Sequence, residues 1–351
     1  MPLEILALVL VAAALVIALV SLWSVRKLKS RIAHIEDAPV VARSLTEQHK
    51  VGVVLNPSKN DAERALALLR SVCADSGLEE PLVFETTVED PGHAMAVDAL
   101  AAGCTLVVAA GGDGTVREVA EVLAGKDAVM GLLPLGTGNL LARNLDFDVE
   151  DLPAAVATAL GGAPRDIDAV AITLEGADGS LEEHVFLVIA GIGFDADIMN
   201  DTNAELKAKV GHMAYAEAAM RHLPGQRSTV QISLDGGPLQ SRKVRSVMIA
   251  NCGKLQGGVE LVPDARVDDG LLDVVVMSPR SVAGWLWIAA KTALRSRRRI
   301  PIVDYYQARA VRIVLPEPIG SQLDGDTTGE VVALQAQVRP KALRIRVPQP
   351  A

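Results

Sequence analysis

An aspartate set among glycines is the first place in this chain where residue types and spacing could do chemistry. Residues 106–116 read LVVAAGGDGTV, an apolar run followed by Gly111, Gly112, Asp113, Gly114 and Thr115. Glycine carries no Cβ, so this backbone can adopt positive φ and let a ligand come close to its amides. The helix-like stretch REVAEVLAG that follows would turn its free N–H groups to the same spot, an arrangement that suits a phosphate. Two further turns have a related character: Asn56, Pro57 and Ser58 in the first, and PLGTGN at 134–139, with Gly136, Thr137 and Asn139, in the second. Asn56, Thr115 and Thr137 could hold phosphates together with the backbone amides. Arg143 is either a phosphate contact or a solvated helix residue. The pattern suggests a nucleotide site with a carboxylate beside the phosphates. Other nucleotide fingerprints are absent: there is no GxxxxGK[ST], and Arg117 stands where the last glycine of GxGxxG would be.

These turns must be positioned by a sheet. Strand-like segments at 50–58, 81–87, 105–110 and 128–136 alternate with helix-like ones at 61–74, 91–102, 115–123 and 139–144, the rhythm of a parallel α/β sheet. In such a sheet the loops at the carboxyl ends of the strands line the ligand crevice, which is where the three turns fall. After about residue 165 strand-like segments dominate, separated by Gly, Pro and Asp turns, with a helical insertion near 203–222. Two domains of different class are expected, and the length agrees with the usual ~100–200 residues per domain.

Half of the 351 residues are hydrophobic and few are aromatic, so the core must be built from Ala, Val, Leu and Ile. A net charge of −9 argues against general nucleic-acid binding. Cys73, Cys104 and Cys252 are widely spaced and odd in number, which fits a reducing compartment rather than a disulfide scaffold. From Ile5 to Val25 no charge interrupts the chain, and Arg26, Lys27, Lys29 and Arg31 follow directly. About 20 apolar residues span a bilayer, so a single-pass, uncleaved transmembrane anchor is expected, with the rest of the chain on the cytoplasmic side of the cell membrane. Residues 26–49 then form a juxtamembrane linker. At 285–301, WLWIAAKTALRSRRRIP combines Trp285 and Trp287 with a basic run and suits an anionic membrane surface; an ordinary packed helix is the alternative.

GGDGT followed by PLGTGN resembles the lipid kinase superfamily of diacylglycerol, sphingosine and ceramide kinases. The similarity covers residues 50–350, most closely to its bacterial soluble diacylglycerol kinase-like branch. GIGFDADI (191–198), KVGHMAYAEAAM (209–220), GGVELVPDARVDDGLLDVVVM (257–277) and QLDGD (322–326) carry it through the second half. The resemblance implies a NAD kinase-like α/β nucleotide-binding domain at 50–165 and a β-sandwich lipid domain at 166–351 whose end returns to the first. It implies ATP and Mg²⁺ as cofactors and the hydroxyl of diacylglycerol or a related lipid as acceptor. On this basis Asp113 organises nucleotide and metal, Asp324 is the base, and Asp326 orients it or binds metal. Asp269 and Asp273 in DGLLD belong to a metal-linked network reaching Asp324; read alone, DGLLD is a turn before a strand. Asp195 and Asp197 face the acceptor or cap the next helix. The sequence departs from the family pattern in NPSKN, which lacks a glycine after the serine, in Leu140–Leu141, and in Asp326, which stands where the family has Glu. A NAD kinase-like small-molecule kinase and a membrane-bound lipid- or nucleotide-binding regulator without catalysis are the alternatives. The acceptor lipid and the oligomeric state, a homodimer included, are not specified by the sequence.

Overall fold

The computed structural model describes residues 49–193, 227–255, 260–281, 283–285, 287–288 and 300–349. Three strands of the first half are apolar runs buried along their whole length, as expected where helices cover both faces of a parallel sheet. Strand β1 (Val51–Leu55) leads into helix α1 (Ala62–Asp75), which buries Ala62, Ala65, Leu69 and Cys73 at helical spacing. The edge strand β2 (Leu82–Glu85) is followed by α2 (His93–Ala101), and β3 (Leu106–Gly111) by α3 (Asp113–Leu123). Strand β4 (Val129–Pro134) precedes the short α4 (Leu140–Asn144) and α5 (Leu152–Gly161). Helix α5 starts where Asp151 accepts the Ala154 N–H at 3.0 Å. The sheet is parallel in the order β2-β1-β3-β4, which brings the ends of β1, β3 and β4 to one edge.

The second half is antiparallel. It comprises β5 (Ala163–Gly176), β6 (Leu181–Phe186), β7 (Ile189–Gly193), β8 (Ser228–Leu234), β9 (Gln240–Val244) and β10 (Ser246–Ala250). It continues with β11 (Leu272–Met277), β12 (Val303–Ala308), β13 (Ala310–Leu323) and β14 (Asp326–Val347). Its own apolar core gathers Phe186, Ile192, Ile249, Val274, Ile313 and Leu334. The two halves are not separate sheets. Near its end β14 pairs in parallel with β4, Arg344 opposite Val129 and Ile345 opposite Met130, so the order runs β12-β11-β10-β7-β13-β14-β4-β3-β1-β2. The boundary expected at 165/166 falls inside β5.

The expected transmembrane helix requires correction. Among the described residues no helix is long and apolar enough to cross a membrane, and the segment 5–25 lies outside them. The described residues form an α/β half and an antiparallel β half with no membrane-crossing helix, so neither the expected anchor nor the single-pass placement at the cell membrane is supported. The helical insertion at 203–222, Asp195, Asp197 and the basic run 291–299 also lie outside the described residues. The three cysteines are buried and free.

Candidate active site

The GGDGT turn is the junction of β3 and α3, and Asp113 is the first residue of the helix. Gly111 lets the chain fold back tightly: a Cβ there would stand 2.5 Å from Thr115 Oγ1. The first intrahelical bond, from Val116 N to Gly112 O, leaves the N–H groups before it directed into the crevice. The Asp113 carboxylate crosses to the neighbouring turn, where Oδ2 accepts the Asn139 N–H at 2.9 Å and Oδ1 the Leu140 N–H at 2.5 Å. It thereby caps α4 from another loop. Asn139 has a left-handed backbone (φ 49°), and its side chain is spent on the same turn, accepting from Gly136 N and donating to Gly136 O and Pro134 O. The two turns touch, and a Cβ on Gly136 would lie 2.7 Å from the Gly112 Cα. Thr137 is exposed above them, and Arg143 donates from Nε to Gly138 O at 2.8 Å.

The third turn sits alongside. Asn56 Oδ1 accepts both the amide and the hydroxyl of Ser58, a closed loop that leaves Pro57 and Ser58 exposed. Asn56 N in turn donates to Ala110 O, which fixes the loop against β3.

QLDGD is a two-residue hairpin between β13 and β14. Leu323 is opposite Asp326, and Asp324 and Gly325 both have positive φ (49° and 92°), the geometry that favours Asp-Gly. The turn gives its two acids opposite surroundings. The Asp324 carboxylate points inward, where Oδ1 accepts the N–H groups of Val188 and Ile189 and Oδ2 that of Leu187, all within 2.9 Å. Burial pushes its pKa up, and the three amides and Arg117 act against that shift. Asp326 points outward with half of its side chain exposed, and a Cβ on Gly114 would lie 2.8 Å from its Oδ2. The hairpin thus delivers Asp326 directly over the glycine turn. Burial first, and the charges of Asp324 and Asp326 after it, push the Asp113 pKa up to about 6 against two amide bonds that lower it.

The geometry reveals residues that the sequence reading passed over. Arg117 is a buried guanidinium on α3, with Nη2 3.2 Å from Glu118 and 3.7 Å from Asp326, and with its Nε unpartnered. His93 lies 3.6 Å beyond Glu118. Asp168 is wholly buried and ties the DGLLD turn to β14 through bonds from Gly270 N and Lys341 N. Isolated charged residues carry little periodic signal; only the amide turns were readable as turns.

Asp269 and Asp273 are not brought to this cluster. Asp269 is exposed and accepts the Leu271 N–H, while Asp273 on β11 accepts from Gln307 at 3.1 Å. Burial and the charges of Asp269 and Asp264 raise the Asp273 pKa. Strands β10 and β7 lie between β11 and β13. Asp273 is therefore about 14 Å from the hairpin, at roughly 4.8 Å per strand, too far for one ion to join them. Among the described residues no group of three or more His, Cys, Asp or Glu side chains could hold a metal. With Asp113 and Asp324 engaged by amides, Asp326 is the carboxylate of the three that remains available. One carboxylate, phosphate oxygens and water make a donor set that fits Mg²⁺. A cavity of about 230 Å³ lies behind α4, with Arg165, Lys254 and Cys252 in its lining. Its cations are paired, Arg165 and Arg266 with Asp268 and Lys254 with Asp146.

Residues 50–172 match the diacylglycerol kinase catalytic domain, and residues 188–347 match the YegS C-terminal NAD kinase beta sandwich-like domain. The two matches together define a two-part protein of the diacylglycerol kinase class. A protein of Pseudomonas putida KT2440 named "Probable lipid kinase YegS-like" is 33% identical over 259 residues, 72% of this chain and 81% of that one. The "Diacylglycerol kinase" of Bacillus subtilis strain 168 is 28% identical over 282 residues, 79% of this chain and 89% of that one. A Bacillus anthracis Sterne crystal structure titled as a diacylglycerol kinase shares the fold with a TM-score of 0.67 at 22% identity, covering 86% of this chain and 98% of that one. This chain belongs to the YegS-like lipid kinase family.

Proposed function

We propose that the protein is an ATP-dependent lipid kinase that transfers the γ-phosphate to a hydroxyl of diacylglycerol or a closely related lipid. One observation carries the reading: a half-exposed carboxylate from the β half, Asp326, leans over Gly114 at the glycine turn of the α/β half. Phosphoryl transfer asks mainly for positioning and neutralisation of charge. The N–H groups opening α3 and the turn at 134–139 bind the polyphosphate, and Arg143 stands beside them. Mg²⁺, when bound, would neutralise charge on the transferred group, with Asp326 as its protein carboxylate. Asp326 is also the group placed to take the lipid hydroxyl proton as the new O–P bond forms and the bond to the β-phosphate breaks, releasing ADP. Asp324, expected from sequence to be the base, becomes a positioning residue in this reading, because all of its bonds hold the hairpin against Leu187–Ile189. The lipid is met at a membrane surface through segment 285–301, of which Trp287 is half exposed.

The test is lipid-dependent transfer by the purified full chain from γ-labelled ATP to diacylglycerol in mixed micelles with Mg²⁺. Labelled phosphatidic acid is expected. Asp326→Asn lowers kcat by about 100-fold or more with the melting temperature kept. Asp324→Asn lowers the melting temperature first, since an amide cannot accept all three N–H bonds. Full turnover in Asp326→Asn would overturn the assignment. Label passing to NAD rather than to lipid would favour the small-molecule kinase, and bound ATP without transfer to any acceptor the regulator.

A further inference from the structure

We propose that Lys59, in the NPSKN turn, is a ligand for the terminal phosphates of the nucleotide; the proposal rests on the kinase reading above and adds a cation to it. The turn lacks the glycine that the family pattern has after its serine, and the residue following Ser58 is a lysine. The loop that carries it is fixed: Asn56 N is bonded to Ala110 O of β3, Lys59 N to Asn56 O at 3.3 Å, and Lys59 O accepts Ala62 N at 3.0 Å at the start of α1. The side chain reaches back over the neighbouring turn. Its Cε and Nζ both lie 3.8 Å from the point where a Cβ on Gly112 would stand, and the Gly136 Cα lies 3.6 Å from the same point. The ammonium therefore sits at the seam of the two glycine turns.

Electrostatics make the placement meaningful. Lys59 is half-buried, and among the described residues no carboxylate is within ion-pair distance of it. Three carboxylates converge on this crevice, Asp113, Asp324 and Asp326, and they would repel a polyphosphate. Arg117 is buried with its Nη2 against Glu118 and Asp326, so its charge offsets the carboxylates and not the incoming phosphates. An ammonium on a flexible stem is a common phosphate ligand that acts as a point charge. Lys59 and Asp326 attend glycines two positions apart, Gly112 and Gly114. That places Lys59 at the transferring end of the nucleotide rather than at its base.

The experiment is calorimetric binding of ATP, ADP, AMP and adenosine, at one ionic strength, to the full-length wild type and to Lys59→Ala, Lys59→Gln and Lys59→Arg. Melting curves check that each variant folds. Loss of ATP affinity by tenfold or more in the Ala and Gln variants is expected, with a smaller loss for ADP, none for AMP or adenosine, and recovery in the Arg variant. Unchanged ATP affinity in Lys59→Ala, or an equal loss for all four ligands, would overturn the proposal and leave the kinase reading standing. A wild type that binds none of the four would overturn both.

Discussion

Asp113 and Asp324 show how little a motif letter says about the role of a carboxylate. Both stand in Gly-flanked turns, and both spend their oxygens on backbone N–H groups of another segment. For Asp113 this has a measurable consequence. Its pKa is about 6 in the folded protein, above the ordinary 3.8. The folded state therefore keeps a proton between those values that the unfolded chain has released. The associated stabilisation is complete below about pH 4 and is lost as pH rises to about 6, by at most about 3 kcal/mol. Unfolding free energies of the wild type and of Asp113→Asn, measured from pH 4 to 6.5, should diverge over that window. The variant carries a constant offset for its lost amide bond but no such slope; parallel curves would show that Asp113 does not titrate there. The glycine turn itself was legible because only glycine tolerates Thr115 and Gly136 at those distances. The division of labour between Asp324 and Asp326 was not. Two acids on either side of one glycine look equivalent until the left-handed turn sends one inward and the other over Gly114. Lys59 and Arg117 were equally silent, since a cation in a loop or on a helix ordinarily reads as solvated.

Helix α4 has five residues, too few to be stable from its own hydrogen bonds. It exists because both ends are held from elsewhere. Asp113 caps its start, and at its end Asn144 Nδ2 donates to Lys254 O at 2.8 Å while its Oδ1 accepts the Lys254 N–H at 2.9 Å. Asn144→Ala leaves a partly buried donor and acceptor unpaired and should cost about 1–3 kcal/mol in chemical denaturation. It should also raise KM for ATP more than it lowers kcat, because the turn at 134–139 loses its anchor and Asp326 does not. An unchanged denaturation midpoint would show that α4 needs no such tether. Sequence periodicity found α1 and α3, each with a clear apolar stripe. It missed α5, whose residues LPAAVATALG are small and apolar on every side, and β9, whose residues are nearly all exposed and polar. Elements without a contrasting face give periodicity nothing to detect.

Across the described residues the parallel and antiparallel parts of the sheet are joined through one strand. Strand β14 pairs with β13 and β5 in the antiparallel half and with β4 in the parallel half. Leu343 and Ile345 at its end are fully buried in an apolar cluster that runs from the α/β half into the antiparallel half. Ile345→Ala should cost about 2–5 kcal/mol and shift a single unfolding transition followed by circular dichroism. Two transitions, of which only one moves, would show that the halves melt separately despite the shared sheet. That continuity could not be seen in the sequence, where RIRV near the end of the chain is only one more strand-like segment.

The pairing of β14 with β4 also sets an order of events on the ribosome. Strand β4 is made long before the neighbour that covers its open edge. The hairpin that brings Asp326 to the glycine turn is nearly as late. While the intervening residues are being added, β4 presents an uncovered apolar edge, a state in which nascent chains recruit chaperones or associate wrongly. A message truncated before residue 344 would yield a protein with every glycine turn present and the parallel sheet left open. Termination just before this strand should therefore harm the protein through insolubility as well as through lost chemistry.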